Sequence, residues 1–82
     1  MTAPGKIDEE LDLKGEVCPY TFVKSKLALE EMEPGQLLRV IVDNPESADN
    51  VPRSLKNEGH AVLSVTKVSL KDWAIVVQKR EA

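Results

Sequence analysis

Between residues 10 and 14 polar Glu10, Asp12 and Lys14 alternate with apolar Leu11 and Leu13, which predicts a short half-buried strand closed by Gly15. From Pro19 to Met32 the chain favours a helix. Leu27, Ala28, Leu29, Glu30, Glu31 and Met32 are strong formers, and Val23 with Leu27 supplies an apolar pair at i, i+4. Pro34-Gly35 ends it. Leu37 to Val42 is apolar on both alternating faces except at Arg39, the pattern of a strand near the middle of a sheet. Asp43-Asn44-Pro45-Glu46 then reads as a helix start. Asn44 can cap exposed N–H groups, Pro45 suits the first turn and Glu46 matches the helix dipole. Ala48, Val51 and Leu55 supply the apolar positions, and Gly59 is a left-handed stop. Pro52, inside this helix, predicts a kink or a late start. Ala61–Val65 and Trp73–Val77 are β-rich runs too close together for a helical crossover, so they predict an antiparallel hairpin with Lys71-Asp72 near its tip.

The resulting order is βαβαββ, an α/β (α+β) chain. Two helices cannot cover both faces of a sheet well, so a two-layer sandwich is expected. On the expectation that each crossover is right-handed, both helices share one face if the two connections step in opposite directions along the sheet. Eighty-two residues make one domain, because a second core would leave each half too little apolar surface to bury. Residues 1–6 read as a flexible polar leader and 7–82 as the single domain.

Composition narrows the function. The chain has 41% hydrophobic and 30% charged residues, as an ordinary globular protein does. Its longest apolar runs fall far short of the roughly 18 residues of a membrane span, and the N-terminus lacks the basic and apolar regions of a secretory signal. Cytoplasmic residence is therefore the expectation. Fourteen acidic against eleven basic residues give a net charge of −3, which disfavours direct nucleic-acid binding, since that needs a basic face. The basic pairs Lys24 with Lys26 and Lys79 with Arg80 read as solvated surface or as contacts for an acidic partner.

Candidate chemistry centres on Cys18, the only cysteine, in the stretch GEVCPYTFVKSK. With a helix beginning at or just after Pro19, its sulfur would lie near unpaired N–H groups and the positive end of a helix dipole, where a thiolate is favoured. Packing as a small buried hydrophobe is the competing reading. Other chemistries fit worse. One cysteine with one histidine cannot complete a cysteine-rich zinc site, and a thioredoxin-like cycle needs a second cysteine. His60 follows Gly59, at the expected far end of a helix, and reads as a surface or strand-end histidine rather than a base for Cys18. A lone sulfur remains that carries something, senses an oxidant or does nothing.

Three stretches in order resolve the choice. LDLKGEVCP, MEPGQLLRV and DNPESADNVP together resemble the small TusA-like (SirA-like) sulfur carriers, over about Leu11 to Lys79. The resemblance implies a four-stranded mixed sheet packed against two helices, with proline tolerated where Val51-Pro52 stands. It implies that Cys18 accepts a sulfane sulfur as a persulfide and relays it to a partner. The donor would be a cysteine desulfurase, a rhodanese or another persulfide carrier, and the acceptor a thiol-bearing protein. Such relays serve tRNA thiolation, molybdenum-cofactor formation or sulfur oxidation. The carrier would be a monomer with sulfurtransferase activity rather than a turnover enzyme, and would need no metal or cofactor. Around the sulfur, Lys14 and Lys24 would add positive potential, Gly15 and Pro19 would shape the loop, and Tyr20 and Thr21 would be docking residues. The family's usual second proline is replaced by Thr21, which restores an N–H donor at the helix entrance. The alternative from another class is a non-catalytic interaction or regulatory module in which Cys18 is structural or redox-sensing.

Overall fold

The computed structural model describes residues 7–16 and 20–80; the expected leader at 1–6 lies outside them. The elements are β1 (Glu9–Asp12), α1 (Tyr20–Glu30), β2 (Leu37–Val42), α2 (Pro45–Asn57), β3 (Ala61–Lys67) and β4 (Trp73–Gln78). The strand order is β1-β2-β4-β3, with β1 parallel to β2 and the other pairs antiparallel. This is the expected βαβαββ two-layer sandwich, with a four-stranded mixed sheet against two helices. Both helical connections step in the same direction, β1 to β2 and then β2 past β4 to β3. Right-handed crossovers that step the same way place their helices on one face, so the expectation that opposite steps are needed for that arrangement is corrected.

Strand parity defines the core. Across the β2/β4 ladder Leu38 lies opposite Val77, Val40 opposite Ile75 and Val42 opposite Trp73. These residues turn toward the helices and meet Leu29 of α1, Met32 just beyond it, Val51 and Leu55 of α2, and Leu13. Each fully buried aliphatic side chain of this kind stabilises by about 1.5–3 kcal/mol. On the open face Arg39 pairs with Glu10, its register partner on β1, at 3.0 Å. The edges differ in chemistry. β1 carries Glu9, Glu10 and Asp12, whereas β3 is interrupted by an irregularity between Val62 and Ser64; both devices oppose edge-to-edge pairing. At the hairpin tip the N–H of Val68 donates to the Asp72 carbonyl at 2.9 Å, and Lys67 stands 5.4 Å from the centroid of the Trp73 ring.

α2 begins as its residues dictate. Asn44 is extended, its Oδ1 accepts the Glu46 N–H at 2.7 Å, and Pro45 opens the first turn. The helix runs to Asn57 through Pro52, so the late start is corrected. It closes at Gly59, whose φ of +97° is a conformation that a side chain disfavours. The His60 N–H then reaches back to the Leu55 carbonyl at 3.2 Å.

The residues after β4 fasten both helices. Lys79 Nζ donates to the Leu29 carbonyl at 2.6 Å, supplying the positive charge that α1 lacks in its own last turn. Arg80 Nη1 donates to the Glu58 carbonyl at 3.0 Å, and the Arg80 N–H donates to His60 Nδ1 at 3.1 Å. The Lys79-Arg80 pair is therefore engaged in helix capping. Burial, with the charges of Lys79 and Arg80, holds the His60 imidazole below its usual range, against a smaller opposing effect of Glu58.

Two outcomes follow. Leu55→Ala, at a fully buried site, is expected to cost about 2–5 kcal/mol in urea unfolding. Because unfolded His60 takes up a proton near pH 6.5 while the folded residue resists it, stability should be full above about pH 6.5 and fall as pH drops from there toward the folded value. His60→Asn keeps an acceptor near the Nδ1 position and does not titrate; its unfolding free energy should decline less between about pH 7.5 and 5.5. Equal slopes in the two proteins would refute this role.

Candidate functional site

β1 and β2 are parallel neighbours, so their carboxyl ends, and the loops that follow, lie side by side, the usual location of sites in such units. Leu13 continues the pairing, with its N–H on the Ile41 carbonyl at 2.8 Å. The chain then turns. The Glu16 N–H donates to the Leu13 carbonyl at 3.1 Å, and Gly15 takes φ +89°. Among the described residues, no atom outside its immediate neighbours lies within 4 Å of where a Gly15 Cβ would be. The positive backbone angle is itself enough to select glycine. The Gly15 N–H donates to Asp43 Oδ2 at 3.1 Å, joining the loop after β1 to the loop after β2. Val17, Cys18 and Pro19 lie outside the described residues; α1 follows from Tyr20, with no acidic side chain in its first turn.

The two candidate lysines are both paired. Lys24 Nζ lies 2.9 Å from Glu16 Oε2 and Lys14 Nζ lies 4.0 Å from Asp12 Oδ2. These exposed pairs balance the charge expected to reinforce the site, so the favourable field at the start of α1 is that of its backbone rather than of free lysines.

α1 itself is turned against its expected apolar pair. Its buried residues are Thr21, Ser25 and Leu29, while Tyr20 (59%), Val23 (43%) and Leu27 (54%) are exposed. The reason is the seam with α2. Thr21 Oγ1 lies 3.3 Å from Ser47 Oγ, and Ser25 Oγ donates to the Thr21 carbonyl at 2.8 Å. Small side chains let the two helices approach, and their hydroxyls satisfy one another or the backbone. Leu29 is left to reach the core while Phe22 and Ala28 pack beside it. Thr21 is accordingly fully buried; it shapes the site from within, and the expectation that it offers a docking surface is corrected. Tyr20, its neighbour in the chain, is exposed.

Asp43, Glu16, Ser25 and Ser47 are contributors that sequence reasoning missed. Asp43 had a signal: it follows the second of two strands joined by a helical connection, where parallel pairing brings the two exits together.

The described residues form a two-layer βαβαββ sandwich, and the only cysteine of the sequence falls between its first strand and first helix. The model of the family described as sulfurtransferase TusA matches residues 9–79, and the chain belongs to that family. It is 53% identical over 73 residues to a chain named "Putative sulfur carrier protein" from Archaeoglobus fulgidus, covering 89% of this chain and 83% of that one. A chain of the same name from Thermotoga maritima is 38% identical over 73 residues, covering 89% of this chain and 92% of the relative. Among solved structures, a SirA-like protein from Desulfitobacterium hafniense is similar with a TM-score of 0.77 at 26% identity, covering 89% of this chain and 99% of that one.

The Asp43 contact makes a local prediction. Asp43→Ala should raise the hydrogen-exchange rate of the Gly15 amide about two- to tenfold, read by nuclear magnetic resonance, while Asp43→Asn retains most of the protection. Unchanged exchange in Asp43→Ala would show that the two loops are held together by other means.

Proposed function

We propose that this chain is a sulfur carrier that accepts sulfane sulfur on Cys18 as a persulfide and hands it to a partner protein. The observation that carries the reading is the position of the only cysteine, in the segment between β1 and α1, within a chain that matches the sulfurtransferase TusA family over nearly its whole length. The Cys18 thiolate attacks the terminal sulfur of a donor persulfide. A new S–S bond forms, the donor's S–S bond breaks, and the donor leaves as a thiolate. An acceptor thiolate then attacks the terminal sulfur of the Cys18 persulfide, and Cys18 leaves as its thiolate. Neither step has a net change in oxidation, and neither calls for a side-chain base.

The start of α1 supports this chemistry by favouring an anion two residues upstream. The exposed stripe of Tyr20, Val23 and Leu27 gives donor and acceptor proteins an apolar surface that begins two residues after Cys18 in the chain. The donor would be a cysteine desulfurase, a rhodanese or another persulfide carrier, and the acceptor a protein thiol. A monomer leaves that surface available, and a reducing cytoplasm keeps the thiol free. No helix among the described residues is long and apolar enough to cross a membrane.

The test is intact-protein mass spectrometry after incubation with a persulfide donor. One added sulfur should appear on the wild type, transfer to an acceptor thiol, be removed by reductant and be absent from Cys18→Ser. No added sulfur with several classes of donor would leave Cys18 in a structural or redox-sensing role.

A further inference from the structure

Away from the Cys18 segment, the second half of α2 and the start of β3 enclose a concavity of about 550 Å³ lined by Pro52, Arg53, Lys56, His60, Ala61 and Val62. Such a volume falls within the range of small-ligand sites, roughly 300–1,000 Å³. It lies along α2 beyond Ser47, the residue that meets Thr21 near the carrier segment.

Its polar centre is His60. This side chain is only 8% exposed, and its Nδ1 accepts the Arg80 N–H at 3.1 Å. In the neutral ring the hydrogen therefore sits on Nε2. No hydrogen bond of Nε2 to a described residue is present, yet no buried side-chain nitrogen or oxygen among the described residues is left unpartnered. Nε2 is thus not closed off from solvent, and His60 is one of the residues that line the concavity. The Arg80 N–H thus orients a nearly buried imidazole that takes part in the lining of the recess, with Nε2 as its remaining donor.

The surrounding charge selects the ligand. Lys56 is exposed and has no ion pair among the described residues. Arg53, one turn earlier, is held by Asp49 on its far side along the helix. Lys79 and Arg80 add positive potential felt at His60, with Glu58 opposing them. Pro52, Ala61 and Val62 supply the apolar part of the lining. From this arrangement we infer that the recess is a second binding site, for a carboxylate carried on a short apolar body. Its oxygens would accept from His60 Nε2 and Lys56 while the apolar part lies against Pro52 and Val62. A free small organic acid and an acidic side chain of a partner protein's peptide share this chemistry.

The test is a titration of the full-length isotopically labelled chain, followed by nuclear magnetic resonance, with isovalerate, isovaleramide, inorganic phosphate and the capped peptide acetyl-Leu-Glu-Leu-amide. Isovalerate or the peptide should give saturable shifts at the His60 ring and at the amides of Lys56, Ala61 and Val62. Removing the charge in isovaleramide should weaken binding about tenfold, and Lys56→Gln should weaken it about fivefold. Lys56 is exposed, so this variant keeps the fold and the reading stays testable. Tighter binding of the peptide supports the site with a partner protein as its source; tighter binding of isovalerate supports it with a free acid. Absence of saturable shifts with both, equal binding of isovaleramide, or phosphate binding as tightly as isovalerate would overturn the inference. Loading of sulfur on Cys18 is a separate measurement, so failure here leaves the carrier reading intact.

Discussion

Two helices must cover one face of four strands, and the small-residue seam between them makes that possible. Thr21, Ser25 and Ser47 are fully buried where α1 meets α2. Larger residues there would spread the helices and open the layer above β2 and β4. The close approach holds Leu29, Val51 and Leu55 over Val40 and Ile75, and it sets the rotation of α1. Helix rotation in turn sends Tyr20, Val23 and Leu27 outward. A packing requirement in the interior thus determines which side chains of α1 face outward near its start.

The carrier loop is positioned by backbone topology more than by side-chain chemistry. Parallel pairing of β1 with β2 brings their exits together, and a single carboxylate, Asp43, ties the Gly15 amide across them. Lys14 and Lys24 are balanced by Asp12 and Glu16. What distinguishes the location is therefore the start of a helix and a free apolar stripe. A carrier that exchanges its cargo with more than one protein is well served by such a surface, since apolar contact is less selective in geometry than an ion pair.

Much of this was legible in the sequence, and for identifiable reasons. The runs of β2 and β4 and the cap at Asn44 follow from local periodicity and local hydrogen bonding, which depend on few distant residues. Gly59 marked the end of α2 because its backbone angle is a local demand. The rotation of α1 was not legible. Val23 and Leu27 make a good apolar pair, and only the presence of Ser47 across the interface explains why threonine and serine face inward instead. Asp43 and the recess around His60 depend on which loops and strands come together in space. Pro52 suggested an interruption, yet α2 continues through it, because a helix packed along one side tolerates the loss of one hydrogen bond.

The fastening of both helices by Lys79 and Arg80 bears on how the chain matures during synthesis. α1 and α2 are made early, but the groups that occupy carbonyls at their ends belong to residues that follow β4. β4 is also the partner that β3 and one side of β2 await. A nascent chain that has emerged only through β3 holds two unfastened helices and an incomplete sheet, so cooperative folding waits on β4, Lys79 and Arg80. The sheet and both helix ends therefore close together, once β4 and the two residues that follow it have joined the folded part.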